Sequence, residues 1–578
     1  MVIRFIPTDL LRPFGALIVC AMVVAPDAVG AQGGILQSTY LGGVGHTDGR
    51  VVAVDPSNGD VLVAGSATVG DIPATAGGAQ TELSGPQDGW VARLSADLRT
   101  VKQATYLGGS GFEQVDAIAV DPDTGDVLAA GYTSSDDFPA TAGGAQEQRS
   151  GASDAFVARL SGDLTTFRQV TYLGGSADEG GPALGLAIDS RSGDVLVTGN
   201  TTSTDFPARA GSAQPTCSGN ECADGFVARL TGDLKSVRRS TYLGGIREDG
   251  AYDIAIHPRT GDLLIAGDSM TGNSARVGVV ACYNGALTVL RGLTRLGTRA
   301  WGVIVDPVSG DVIAAGETGS TLAGTEDAAQ PEFGGGNSDA FVARFNADLF
   351  LRQATYLGGS GDEGGMVTLA LRPDTGEVVV AGTTSSADFP GTAGGAQANP
   401  SAAPDGFVAR LAGDLSLLDQ ATYLGGGGSD APARVRVTSD GVEVVVAGST
   451  TSPDFPATDG GAQSSLPTPS GAEPSAAFAS RIDPALIGPP ATPTATATAE
   501  LTPTVPSEST PTGTATGRCM GDCGGDRAVT VDELIKGVNI ALDNAAVATC
   551  AAFDPNGDGR VTIDELIGGV NSALNGCA

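Results

Sequence analysis

The string Thr-Tyr-Leu-Gly-Gly occurs six times in the chain, its tyrosine falling at Tyr40, Tyr106, Tyr172, Tyr242, Tyr356 and Tyr423. The 114 residues between Tyr242 and Tyr356 exceed one unit, and Leu293-Thr294-Arg295-Leu296-Gly297 fills the gap with Arg295 in the tyrosine position. Seven copies result, spaced 66, 66, 70, 53, 61 and 67 residues apart. A regular period of this kind means one supersecondary unit that cannot bury its apolar face alone, so the fold is whatever packs seven of them together.

Each unit reads as four short strands. In the second copy, residues 116–120 lead into Asp121-Pro122-Asp123-Thr124-Gly125-Asp126, where proline presets a turn and glycine takes the left-handed conformation. Residues 127–131 return. A long connection with Asp137-Phe138-Pro139 and Ala142-Gly143-Gly144-Ala145-Gln146 precedes a third strand at 154–160, and the fourth ends in Thr171-Tyr172-Leu173. Four strands per unit in seven units predict an all-β, seven-bladed β-propeller with one sheet per blade. The ends are offset. A lone fourth strand at 35–41 opens the array, and the last unit stops after its third strand at 477–481. The N-terminal strand is therefore expected to complete blade seven and hide two sheet edges, giving a closed, monomeric ring.

These strings resemble the bacterial SBBP family of seven-bladed β-propeller repeats, over residues 35–487. The resemblance implies the fold and an exported protein; it implies no particular activity.

Charge and termini narrow the function. With 66 acidic against 32 basic residues the net charge is −34, which repels nucleic acid and anionic membrane surfaces. Arg4 and Arg12 precede an apolar stretch at 14–25, and Val29-Gly30-Ala31 offers a signal-peptidase site before Gln32. Residues 1–31 are expected to be a signal peptide, the protein secreted or cell-surface, and no segment inserted in a membrane. Export makes disulfides expected. Cys217 and Cys222 lie in an insertion of blade three and should close a small loop, while Cys519, Cys523, Cys550 and Cys577 staple the C-terminus in one of three connectivities.

No catalytic set assembles from the propeller sequence. The Asp154 and Arg159 of the third strand recur through the copies, as residues for Asp/Arg pairing or turn capping would. Blade four is eroded: Cys282 stands where an arginine recurs and reads as a buried, inert strand thiol, and His257 replaces the aspartate of Asp-Pro. The other histidine, His46, lies in a different blade. Adjacent acids at Asp178-Glu179, Glu248-Asp249 and Asp362-Glu363 follow the string and are expected in loops on one face.

Residues 488–518 are Pro, Thr, Ala and Ser with hardly a charge, a composition that reads as an extended linker. Beyond it, Asp554, Asn556, Asp558, Thr562 and Glu565 place side-chain oxygens at positions 1, 3, 5, 9 and 12 of a calcium loop. Arg560 gives its backbone carbonyl at position 7 and Gly559 permits the sharp turn. An earlier loop repeats the pattern with Asp522, Asp526, Thr530, Glu533 and the Ala528 carbonyl; Gly524 lacks an oxygen at position 3 and Arg527 sits where glycine belongs, so this site is weaker. Apolar stripes follow each loop at helical spacing, from Val531 to Leu542 and from Ile563 to Leu574. Loop-then-helix, twice, within 519–578 resembles a dockerin. The resemblance implies bound calcium and docking to a cohesin-like protein partner, although the glutamate closers, the Val531-Asp532 and Ile563-Asp564 pairs and the four cysteines depart from the cellulosomal pattern.

The resulting expectation is a secreted, non-enzymatic binding or scaffold protein whose propeller presents a surface for a carbohydrate or protein ligand and whose tail docks through calcium. Two alternatives are a carbohydrate-active enzyme, a polysaccharide hydrolase or lyase delivered by its dockerin, and a structural adhesion protein of the cell surface.

Overall fold

The computed structural model describes residues 34–487, apart from 43–44, 69, 71, 208, 219–221, 272–274, 402–403 and 467–474, together with scattered positions between 522 and 566. The chain divides into two compact units, Met1–Thr492 and Pro493–Ala578.

Among the described residues the first unit holds twenty-eight strands, β1 to β28 in chain order, in seven antiparallel sheets of four. Blades one to six span 47–107, 113–173, 179–243, 249–295, 299–357 and 363–424. Blade seven joins 430–482 to the N-terminal strand β1 (Ile35–Leu41), which pairs with β28 (Ala476–Ile482) in the register Tyr40↔Phe478 and Leu41↔Ala477. The expected closure is thus the one observed. First strands of adjoining blades touch one another and line the axis. Middle strands such as β4 (Asp88–Leu94) and β8 (Asp154–Leu160) are buried at every residue, because a blade packs against neighbours on both faces.

The repeated residues are the joinery. The tyrosine of each string is a hook: Tyr172 Oη donates to the Ser135 carbonyl at 2.8 Å and accepts the Phe138 N–H at 3.2 Å, so it holds the Asp-Phe-Pro start of the long connection. That connection then runs beside the outer strand of its own blade. Gln146 donates its N–H to Thr171 Oγ1 (2.9 Å), and its carbonyl accepts from Tyr172 N (3.0 Å). Gln80, Gln214, Gln330, Gln397 and Gln463 make the same two bonds. The alanine before the glutamine clasps the next blade. Ala79, Ala145, Ala213, Ala329, Ala396 and Ala462 donate to the carbonyls of Leu164, Leu234, Leu287, Leu415, Leu486 and Leu98. Each of those leucines holds a positive φ, between 56° and 65°. For a branched side chain this costs about 1–2 kcal/mol, offset by complete burial of the leucine and by the clasp.

The recurrent Asp and Arg of the third strand are structural, but they do not pair with each other. Asp154 caps a turn by accepting from Ser150 N and Gly151 N at 2.9 and 2.8 Å. Arg159 instead crosses to the Asp-Pro turn and bonds Asp121 and Asp126 at 2.9 and 3.1 Å. Of the adjacent acids, Asp178, Glu248 and Asp362 lie in connections as expected, and the second of each pair departs from that expectation. Glu179, Asp249 and Glu363 each begin an inner strand and are buried. Hydroxyls draw them in: Glu179 Oε1 accepts from Thr201 at 2.6 Å, and Glu363 Oε1 from Thr384 and Ser386 at 2.6 and 2.5 Å. Five blade junctions therefore enclose a carboxylate pair, Asp88/Glu113, Asp154/Glu179, Asp224/Asp249, Asp339/Glu363 and Asp405/Asp430. The first glycine of the string sits between the two acids; a Cβ on Gly108 would lie 2.6 Å from both the Asp88 carboxyl carbon and Glu113 Oε2.

Cys217 and Cys222 form a disulfide, as expected for the blade-three insertion. Cys282 is free and buried in its strand, and burial pushes its thiol up to about 11, with Asp262 adding to the shift. In the second unit Cys523 bonds Cys550, and Ile540, Cys550, Phe553 and Val561 form a small core on which Leu534 and Leu566 pack.

Candidate functional site

Where the inner strand of each blade begins, one position breaks the sevenfold repetition. The register pairs it with a residue of the second strand, giving Asp48/Ser66, Gln114/Tyr132, Gly180/Asn200, Gly250/Asp268, Arg299/Glu317, Gly364/Thr383 and Ala431/Ser449 around the axis. Gly180 of blade three leaves open space, Gly250 of blade four makes room for the Tyr252 hydroxyl, and blade five contributes a long arginine. A pocket of about 510 Å³ opens between these three blades, lined by Asp178, Asn200, Glu248, Tyr252, Arg276 and Trp301 among others.

Asp268, whose side chain is wholly buried, organises the pocket wall. It accepts from Tyr252 Oη at 2.7 Å, from Arg276 at 2.7 Å and from Arg299 at 3.3 Å. The arginines are fixed at their other ends, Arg276 on Glu248 at 2.9 Å and Arg299 on Glu317 at 3.0 Å. Their remaining N–H groups are presented without rotameric search. Trp301 is stacked on Tyr252 with ring centroids 4.7 Å apart, and the Arg299 guanidinium stands 5.5 Å from the indole centroid. Burial, reinforced by Asp268, raises the Tyr252 phenol, which stays protonated and keeps donating. Burial also raises the Asp249 carboxyl at the pocket edge. Trp301 is 9% exposed, and its Nε1 is buried without a hydrogen-bond partner among the described residues.

Deeper along the axis the ring is plugged. Arg50 meets Asp116 at 2.6 Å and Arg434 meets Asp253 at 3.3 Å; Arg50, Asp116 and Arg434 with Met366 and Thr368 surround a void of only about 10 Å³. The pocket is a blind cup.

Neither a family model nor a curated protein matches the chain. Among solved structures, the hydrazine synthase of Kuenenia stuttgartiensis is 11% identical with a TM-score of 0.40, covering 71% of this chain and 93% of that one. A chain of a mitotic checkpoint complex is also 11% identical, with a TM-score of 0.39, covering 77% and 95%. Similarity at this level carries no argument here; the propeller rests on the strand pairing itself.

The calcium loops fall largely beyond view. Asn556, Asp558, Thr562, Glu565, Asp526 and Ala528 lie outside the described residues. Of the others, Glu533 is buried, and its Oε2 accepts from Thr530 N at 2.9 Å and Thr530 Oγ1 at 3.0 Å, which ties loop positions 9 and 12 together. Asp522, Asp554 and Arg560 are described; among the described residues no three acids, histidines or cysteines converge on one point.

Sequence reasoning marked Asp178 and Glu248-Asp249 only as adjacent acids and did not find Tyr252, Asp268, Arg276, Arg299 or Trp301. The available signal was rarity: Trp301 is one of two tryptophans in the chain, and it follows closely on Arg295, where the preceding blade lost its string tyrosine.

Proposed function

We propose that this is an exported, non-enzymatic binding protein whose propeller takes a neutral, hydroxyl-rich ligand, a carbohydrate, in the axial cup between blades three and five. The stack of Trp301 on Tyr252 in the lining of that cup, flanked by charged groups fixed at both ends, carries the reading. Paired carboxylates and guanidinium groups held rigid on either side of an aromatic stack suit vicinal hydroxyls, which both donate and accept. The acids Asp178, Glu248, Asp249, Asp268 and Glu317 outnumber Arg276 and Arg299, and that balance disfavours an anionic ligand.

The chain's other tryptophan, Trp90, is fully buried in blade one. Titration of the full chain with neutral oligosaccharides should therefore change the fluorescence of Trp301 saturably, and Trp301→Phe should abolish the change while the far-ultraviolet spectrum stays the same. Absence of any response across neutral glycans, or turnover of a polysaccharide by the protein, would refute the reading.

The tail would supply the second attachment, docking to a cohesin-like partner once calcium fills its loops. An all-oxygen donor set is what a hard cation takes, and Asp522, Thr530, Glu533 and Asp554 keep to it. Calorimetric titration of the full chain is expected to show one tight calcium site that Glu565→Ala removes, and a weaker one that Glu533→Ala removes. No heat at millimolar calcium would exclude both loops as sites.

A further inference from the structure

Blade four lacks the long connection. Its second and third strands, β15 (Leu263–Met270) and β16 (Arg276–Tyr283), are joined by five residues, with Thr271 N donating to Ala275 O at 2.8 Å. Three features vanish together: the segment that runs beside the outer strand, the tyrosine that hooks it, here Arg295, and the clasp onto the next blade. Leu349 of blade five holds the positive φ of its six counterparts, 62°, but no alanine N–H reaches its carbonyl among the described residues. The second tie across this seam is gone as well. Arg229 and Arg344 donate to the Gly285 and Gly413 carbonyls of the blades that follow, whereas Cys282 in the same strand position is too short to cross. A recess of about 470 Å³ remains, lined by Cys282, Arg291, Gly292, Leu349 and Phe350.

The receiving groups are still in place. By register Thr294 is the counterpart of Thr105, and Leu293 and Arg295 are those of Ala104 and Tyr106, whose N–H groups point outward to the connection in blade one. Among the described residues nothing bonds the Thr294 hydroxyl or those two outward N–H groups. Leu290 is 42% exposed, although its counterparts Val101, Phe167, Val237, Leu351 and Leu418 are partly buried against the core. Phe350 is 70% exposed at the far side of the recess. An outer strand with free backbone groups and an apolar flank is a template for one more strand.

We propose that the outer strand of blade four, β17 (Leu290–Arg295), is a docking site for an extended, small-residue peptide segment of a partner protein, which supplies in trans what the other six blades supply from their own chain. The six internal examples define the occupant. It presents a glutamine-like backbone pair to Thr294 and Arg295, an N–H to the Leu349 carbonyl, and a glycine or other small residue before these, since a Cβ on Gly144 would lie 2.6 Å from the Val170 carbonyl of the strand it covers. The site is independent of the axial cup.

The probe is a fluorescein-labelled peptide with the sequence of residues 138–146, Phe-Pro-Ala-Thr-Ala-Gly-Gly-Ala-Gln, titrated into the full-length protein. Anisotropy should rise saturably, and amide exchange at Leu293 and Arg295 should slow by about tenfold or more in the complex. Thr294→Val should weaken binding roughly fivefold, the worth of one hydrogen bond. Replacing residues 271–275 by the sequence of residues 134–153, together with Arg295→Tyr, covers the strand from within and should abolish binding. The proposal fails if the peptide does not bind, if it binds without protecting β17, or if the β17 amides are already protected in the free protein. Concentration-dependent protection there would identify a second copy as the occupant, and concentration-independent protection a segment of this chain; either overturns the assignment to a partner.

Discussion

Replacing Tyr40 by alanine, in the N-terminal strand, is expected to destabilise the propeller by about 4–7 kcal/mol. Tyr40 is fully buried, and its hydroxyl donates to the Ser452 carbonyl at 2.8 Å and accepts Phe455 N–H at 3.0 Å. Loss of the ring leaves a cavity worth roughly 3–5 kcal/mol, and the two orphaned backbone groups add about 1–2. The position magnifies the effect. Tyr40 belongs to the one strand that closes the ring, so loosening it frees the edge of β28 and exposes blade seven to edge-to-edge association. Thermal unfolding followed by circular dichroism should show a midpoint lower by roughly 5–10 °C, with aggregation on heating; Tyr40→Phe, which keeps the ring, should lose only about 1–2 kcal/mol. An unchanged midpoint for Tyr40→Ala would mean that β1 does not hold the ring closed.

The second large effect is in pH. Burial pushes the Glu179 carboxyl up to about 7; the Ser203 and Thr201 hydroxyls oppose the shift and the Asp154 charge adds to it. A carboxyl raised on folding binds its proton more tightly in the folded state, so its contribution is complete below the unfolded value near 4.5 and is lost as pH rises through about 7. For Glu179 this amounts to about 3 kcal/mol. Burial raises Asp224 in the same direction, to about 6, with Asp249 adding. The Arg–Asp turns work the other way. Burial opposes it, yet hydrogen bonds from Ser309 and Arg344 hold Asp306 at about 2, so its contribution is present above 3.8 and is lost as pH falls through about 2. Stability should peak near pH 4–5 and decline toward both neutrality and strong acid. In denaturant unfolding, Glu179→Gln should reduce the decline between pH 5 and pH 8 by about 3 kcal/mol, because glutamine stands in for the protonated acid. An equal decline in the variant would place the pH dependence elsewhere.

The blade count and the closure were legible because both are one-dimensional facts: a period, and an offset of one strand between the two ends. The roles inside a blade were not. Tyr172 and Phe138 lie far apart in sequence and come together only when the long connection folds back along the outer strand. The recurrence of Asp154 and Arg159 suggests Asp/Arg pairing or turn capping without naming the partners; strand geometry sends residues five apart to opposite ends, and the Asp-Pro turn is what lies within reach of Arg159. Hydroxyl-rich second strands explain why Glu179 could be buried at all, and no alternation of apolar residues announces that. The cup is the least legible part, since Asp268, Arg276 and Arg299 meet only through pairing across two blades.

The seven register pairs around the axis have a consequence for how such a chain can diverge. Nearly every other repeated side chain is committed to a hook, a clasp, a turn or an enclosed carboxylate, and a change there is felt by the neighbouring blade. The pairs from Asp48/Ser66 to Ala431/Ser449 carry no hook, clasp or turn, although Asn200, Ser449 and Arg299 each bond the adjoining blade. A lineage could rewrite most of those fourteen positions, and with them what the cup accepts, while inheriting the hooks, clasps and turns of the ring unchanged.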